Sequence, residues 1–133
     1  MSDESTHSAA EELLDAAHDD HRASSAGSAR AALANAMVGM KKKFYGRGPV
    51  AAKAWVLDDY AFVALEGGLT RNEETMLEAG RDDEVRAYRL AFQEVMAETT
   101  TAAVAEILGR EVLTYHSQIV FRPTRSFEIF VLE

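Results

Sequence analysis

Cations and a single body histidine carry most of the chemistry this sequence offers. Lys41, Lys42, Lys43, Arg47 and Lys53 crowd into KKKFYGRGPVAAK, which also holds Gly46, Gly48 and Pro49. Such a cluster suits an anion such as a phosphate or a carboxylate. A phosphate cradle, however, places its glycines before a helix N-terminus, where free N–H groups point at the ligand. Here the glycines follow a helical pattern and precede a strand-like one. Two readings stay open. In one the stretch is a patch facing an anion or a partner. In the other it ends a helix, with lysines set against the negative end of the helix dipole.

His116 lies in TYHSQ beside Ser117. Neighbours on a strand point to opposite faces, so the two do not make a nucleophile–base pair by local geometry. His116 is either a hydrogen-bonded structural residue or a ligand contact, and with a carboxylate such as Glu66 it could serve an enzyme. Arg122 and Arg125 bracket a turn proline and, with the lysines, could extend a basic surface for an acidic partner or anionic lipid. Asp58-Asp59 reads as turn chemistry. His18 and His21, near Asp15, Asp19 and Asp20, share a helical spacing that could hold a metal weakly, but a solvated acidic face is the plainer reading. No nucleophile elbow, zinc-protease, Walker or EF-hand pattern occurs. The sequence therefore predicts no catalytic residue, no metal site and no cofactor.

The composition narrows the setting. The chain has 133 residues, a formal charge of −8, 47% hydrophobic residues and no cysteine. One domain is the natural expectation, with no disulfide or thiolate site. No run approaches the ~20 apolar residues of a membrane span, and the acidic N-terminus lacks the features of a signal peptide. A cytoplasmic location is the expectation. Residues 1–26 hold seven acids and one base, so the body is nearly neutral. Phosphate-driven nucleic-acid binding is disfavoured for such a chain. The acidic stretch reads as a flexible tail. It could contain one short helix, or fold back on the basic surface and block it.

The elements that would position these groups are legible from periodicity. Ala29, Leu33, Met37, Met40 and Phe44 fall on one helical face, with Ser28 as the predicted cap and Gly46, Gly48 and Pro49 as the stop. VAAKAWVL and YAFVALEG then alternate around Asp58-Asp59, a predicted β-hairpin. Both its faces are apolar, which places it in the middle of a sheet or at a subunit interface. Thr70 and Glu73 form a capping box for a short helix ending at Gly80. Asp82 or Asp83 is the predicted cap of a long helix to Gly109, with a bend allowed at Thr99-Thr100-Thr101. REVLTYHSQIVF and SFEIFVLE form a second hairpin. The order α-ββ-αα-ββ predicts an α+β domain with a four-stranded, largely antiparallel sheet and helices packed on one face.

Taken together, FYGRGPVAAKAWVLDDYAFVALEGGLTRNEETML, a long acidic helix ending ILGREV, and HSQIVFRPTRSFEIFVLE resemble the MpsC family. The resemblance spans about residues 28–133 and rests most on Tyr45-Gly46-Arg47-Gly48-Pro49, Leu65-Glu66-Gly67, Leu69-Thr70, Gly109, His116-Ser117 and Phe130-Val131-Leu132. The family is named for a Na+-translocating, membrane-potential-generating system, and is also associated with inorganic-carbon uptake. The resemblance implies a non-enzymatic accessory or regulatory component, peripheral to the inner face of the membrane and working with a membrane-protein partner. A homodimer is expected, because four strands leave two sheet edges to be managed. The alternative is a small-molecule or anion-binding module built on Arg47, Lys53, His116 and Arg122.

Overall fold

The computed structural model describes residues 9–133, with side chains from residue 27 onward. The readings placed on residues 1–8 and on the side chains of residues 9–26 lie outside the described residues. They include the histidine–aspartate cluster and the fold-back of the acidic tail.

Helix α1 runs without a break from Ala9 to Tyr45. Ser28 is therefore an interior residue and not the predicted cap. Alanine is frequent on both sides of Gly27, and one glycine costs a helix only about 1 kcal/mol, too little to end it. Helix α1 stops where expected. The Gly46 N–H donates to the Lys42 carbonyl (3.0 Å), and Gly46 takes φ 79°, which a side chain would resist.

Strands β1 (Ala51–Leu57), β2 (Tyr60–Glu66), β3 (Val112–Val120) and β4 (Arg125–Leu132) form one antiparallel sheet in the order β1-β2-β4-β3. Asp58 at φ 52° makes the tight turn of the first hairpin, a conformation aspartate tolerates. That hairpin is only half central. Strand β2 lies inside the sheet, while β1 is an edge. The α-ββ-αα-ββ order and the α+β architecture agree with the sequence pattern.

Alternation divides the sheet into two faces. Ala54, Ala61, Val63, Leu65, Phe130 and Leu132 point inward and meet Leu33 and Met37 of α1 and Val104 of α3 (Asp82–Leu108) in one buried cluster. Each fully buried large side chain contributes about 1.5–3 kcal/mol. Helix α1 covers β1 and β2, and α3 covers β3, so both lie on the same face. Helix α2 (Arg71–Glu78) packs on α3. Its capping box forms as the sequence indicates, with the Thr70 N–H donating to Glu73 Oε1 (2.9 Å) and the Glu73 N–H to Thr70 Oγ1 (3.4 Å).

Helix α3 begins differently from expectation. Its N-cap is Arg81, with no side-chain cap. Asp82 is held by Arg122 and Asp83 by Arg86 (2.9 Å), so neither carboxylate turns back to the helix N–H groups. The two still favour the helix N-terminus by charge. The helix passes through Thr99-Thr100-Thr101 unbroken, with Thr100 buried.

Candidate functional site

Among the described residues no helix packs across the sheet's second face. Its outward side chains form a grid that the strand register defines. Across the strands from β1 to β3, one row is Leu57, Tyr60, Val131 and Thr114. The next is Trp55, Phe62, Ile129 and His116. Then come Lys53, Ala64, Phe127 and Gln118, and last Ala51, Glu66, Arg125 and Val120. Three columns are largely apolar, and the β3 column is largely polar. Leu57 is 55% exposed, Tyr60 47%, Trp55 42% and Phe127 39%. A shallow groove of about 600 Å³ runs over Trp55, Phe62, Phe127 and Ile129, with Arg30 of α1 also in its lining. The exposed apolar side chains are contiguous across β1, β2 and β4. The Lys53 ammonium lies 5.4 Å from the Trp55 ring centroid, and Glu66 pairs with Arg125 (3.4 Å), so the charges sit at the margin.

The inner face holds the reverse arrangement. Glu128 of β4 is fully buried among apolar side chains. Lys41 Nζ lies 2.8 Å from Glu128 Oε1. The approach is off the line of a hydrogen bond, so this oxygen is charge-paired without being hydrogen-bonded. The Tyr115 hydroxyl donates to Glu128 Oε2 (2.6 Å) and lies 3.1 Å from Gln93 Oε1. Gln93 Nε2 donates to the Tyr45 hydroxyl (3.2 Å), and the Arg89 guanidinium stacks 3.8 Å from the Tyr45 ring centroid. Arg89 Nε donates to Glu73 Oε2 (2.6 Å), and Nη2 donates to the Gly68 carbonyl (3.0 Å). A polar chain thus links all three helices to β3 and β4.

Burial governs the proton affinities along this chain. Desolvation lowers the Lys41 pKa despite Glu128. Burial pushes Tyr45 up to about 12 and raises Tyr115, where Glu128 adds to the effect. Burial works to raise Glu73, but its bonds from Arg89 and Thr70 outweigh that and hold it below the usual carboxylate value. Among the described residues most of these groups are hydrogen-bonded to one another, and Glu128 Oε1 has only the charge of Lys41 beside it.

The cationic residues singled out by sequence occupy separate places. Lys41 is buried against Glu128, in helical phase with Leu33 and Met37. Lys42 and Lys43 are exposed in the last turn of α1. Gly46 ends that helix, and a Cβ on Gly48 would meet the Lys42 side chain at 3.2 Å. Arg47 pairs with Glu74 (2.9 Å). Lys53 lies on β1 and His116 on β3, with β2 and β4 between them. His116 Nε2 is 3.1 Å from Thr114 Oγ1, while Glu66 faces Arg125, so no His116–Glu66 pair forms. Arg122 reaches Asp82 Oδ1 (3.1 Å) and the Leu77 carbonyl (3.2 Å). Among the described residues no group of three or more side chains could hold a metal ion, and no helix is long and apolar enough to cross a membrane.

Residues 25–133 match a family model described as "Na+-translocating membrane potential-generating system (MpsC)". The chain belongs to the MpsC family. Searches of curated proteins and of solved structures found no match. The match covers the whole sheet and the part of α1 that packs on it, so both faces belong to the MpsC unit.

Sequence reasoning passed over Glu128, Arg89, Gln93 and Tyr115. Glu128 carried a readable signal, because it shares the inward phase of Phe130 and Leu132 in SFEIFVLE. Lys41 carried one too, on the Leu33–Met37 stripe. The polar contacts of Gln93 with Tyr45 and Tyr115 join residues 48 and 22 apart, which no local pattern could show.

Proposed function

We propose that this MpsC-family chain is a non-catalytic accessory component of a membrane-potential-generating system. It acts by assembly, from the inner side of the membrane, and its interaction surface is the open outer face of the sheet. The observation that carries this reading is that face itself, a four-stranded surface with Trp55, Phe62, Phe127 and Ile129 at its centre and charges at its margin. Stable interfaces have the same anatomy of apolar centre and polar rim. The polar groups of the interior support the reading from the other side, since all but Glu128 Oε1 are hydrogen-bonded to one another and that oxygen is charge-paired with Lys41.

The test is genetic complementation read with a voltage-sensitive dye. Removing the chain from its host lowers the Na+-dependent membrane potential, and returning the wild-type chain restores it. Phe62→Lys, which sets a charge in the middle of the face, fails to restore it while the protein accumulates normally. Restoration by Phe62→Lys to the wild-type level overturns the reading.

A further inference from the structure

We infer that the molecule seated on the outer face is a second copy of the chain, packed sheet on sheet. The two-fold axis lies in the interface and crosses the strands between the Phe62 row and the Ala64 row. The inference rests on the reading of the outer face as the interaction surface, and adds which partner it takes.

The column pattern selects the axis. A two-fold axis across the strands sets each strand antiparallel over its own copy. The apolar β1, β2 and β4 columns then meet apolar columns, and the β3 column with Thr114, His116 and Gln118 meets itself. An axis along the strands reverses the strand order. It would lay the polar β3 column on Trp55 and Leu57 of β1, leaving polar groups against apolar ones at a desolvation cost.

The row pattern supports the same axis. Rotation about it exchanges the two central rows and the two outer rows. Phe62 then faces Ala64 of the other copy, and Ile129 faces Phe127. Leu57 faces Ala51, and the Tyr60 hydroxyl faces the Glu66 carboxylate. Phe62 on Ala64 and Leu57 on Ala51 set a large side chain against a small one, which is how packed layers interdigitate. At the outer rows Val131 faces Arg125 and Thr114 faces Val120, where the interface margin leaves the polar groups near water. Trp55 faces Lys53, a pairing already favourable inside one copy at 5.4 Å. His116 faces Gln118, a donor–acceptor match. The contact is isologous, as two-fold interfaces must be.

Area allows it. Strands of seven to nine residues, at ~3.3 Å per residue and ~4.8 Å between strands, give a face of about 450 Å² in projection. Side-chain relief brings this toward the roughly 600–800 Å² per partner of a small specific dimer. Two such twisted sheets stack about 10 Å apart in an aligned sandwich.

The experiment uses the full chain in sedimentation velocity at about 50 µM, well above a micromolar Kd. The expected result is twice the chain mass for wild type, and the chain mass for Phe62→Lys and for Ala64→Arg. Ala64→Arg removes no large apolar side chain and lies at a partly exposed position, so it keeps the test valid if Phe62→Lys unfolds. Because the chain has no cysteine, a spin label at Gln118→Cys reports one site. Labels within about 25 Å of each other are expected for sheets about 10 Å apart. A wild-type monomer, a dimer insensitive to Ala64→Arg, or labels much farther apart overturns the inference. The two proposals fail separately. A monomer whose Phe62→Lys variant still cannot restore the membrane potential keeps the face as an interaction surface and removes the second copy. A dimer whose Phe62→Lys variant restores the potential does the opposite.

Discussion

The two faces of one sheet divide the chemistry against the usual pattern. The covered face carries a buried carboxylate and its lysine, while the open face carries tryptophan, tyrosine and phenylalanine. The covered face teaches how the helices are set. Lys41 belongs to α1, Gln93 and Arg89 to α3, Glu73 to α2, and Glu128 to the sheet, so a slip of any helix unpairs a buried group. The open face shows what the described residues leave uncovered. Its side chains pack on their neighbours in the sheet, and among the described residues no layer lies above them.

The contrast predicts different costs for substitution. The largest falls on Glu128. Glu128→Ala leaves Lys41 buried without a counter-charge and should lose about 3–5 kcal/mol in urea unfolding. Lys41→Met combined with Glu128→Leu removes both charges, and should come out near wild type or more stable. A double variant as weak as Glu128→Ala would show that the pair itself, and not the unpaired charge, holds the fold.

Arg89→Ala comes next, at about 3 kcal/mol, because it strips Glu73 of its buried partner. This pair also sets an acid limb. The folded Glu73 pKa is held below the unfolded value, so its stabilisation is present above the ordinary carboxylate pKa and is lost as pH falls through the folded one. Glu73→Gln should flatten the fall in melting temperature on acidification. An unchanged acid slope would remove Glu73 from the account.

Gly68 tests the backbone end of the same network. It takes φ 86°, a Cβ there would lie 3.2 Å from Pro49 N and Cα, and its carbonyl accepts from Arg89. Gly68→Ala should cost about 1–3 kcal/mol, the strain of a non-glycine residue in that region. A neutral Gly68→Ala would mean that the β2–α2 loop moves freely against Pro49.

How far each face could be read beforehand follows from the range of its interactions. Strand alternation is local, so both hairpins, the sheet and the apolar character of the Trp55 and Phe62 positions were visible. The Thr70–Glu73 box is a four-residue pattern and was visible as well. Lys41 was misplaced because three lysines at a helix end fit the dipole, and that local reason hid the longer stripe from Leu33 and Met37. The start of α1 was misplaced because a serine before an apolar repeat looks like a cap whatever precedes it. The strand order β1-β2-β4-β3 depends on a crossing between hairpins that no period encodes. The basic residues looked like one cluster because they are close in sequence. The fold sends Lys41 inward, Lys53 outward on β1 and Arg47 to Glu74.

The smallest effect on folding is expected on the open face. Trp55 is 42% exposed, sits on an edge strand, and touches Lys53 and its sheet neighbours. Threonine keeps the strand preference of the position. Trp55→Thr should change the unfolding free energy by less than about 1 kcal/mol, as surface substitutions usually do. The same change removes an aromatic group from the proposed contact, where such side chains dominate binding, so association should weaken while the urea midpoint at low concentration barely moves. A loss of several kcal/mol in dilute protein would give the outer face a share in folding one chain. The two faces would then differ only in their polarity, and no longer in the task each performs.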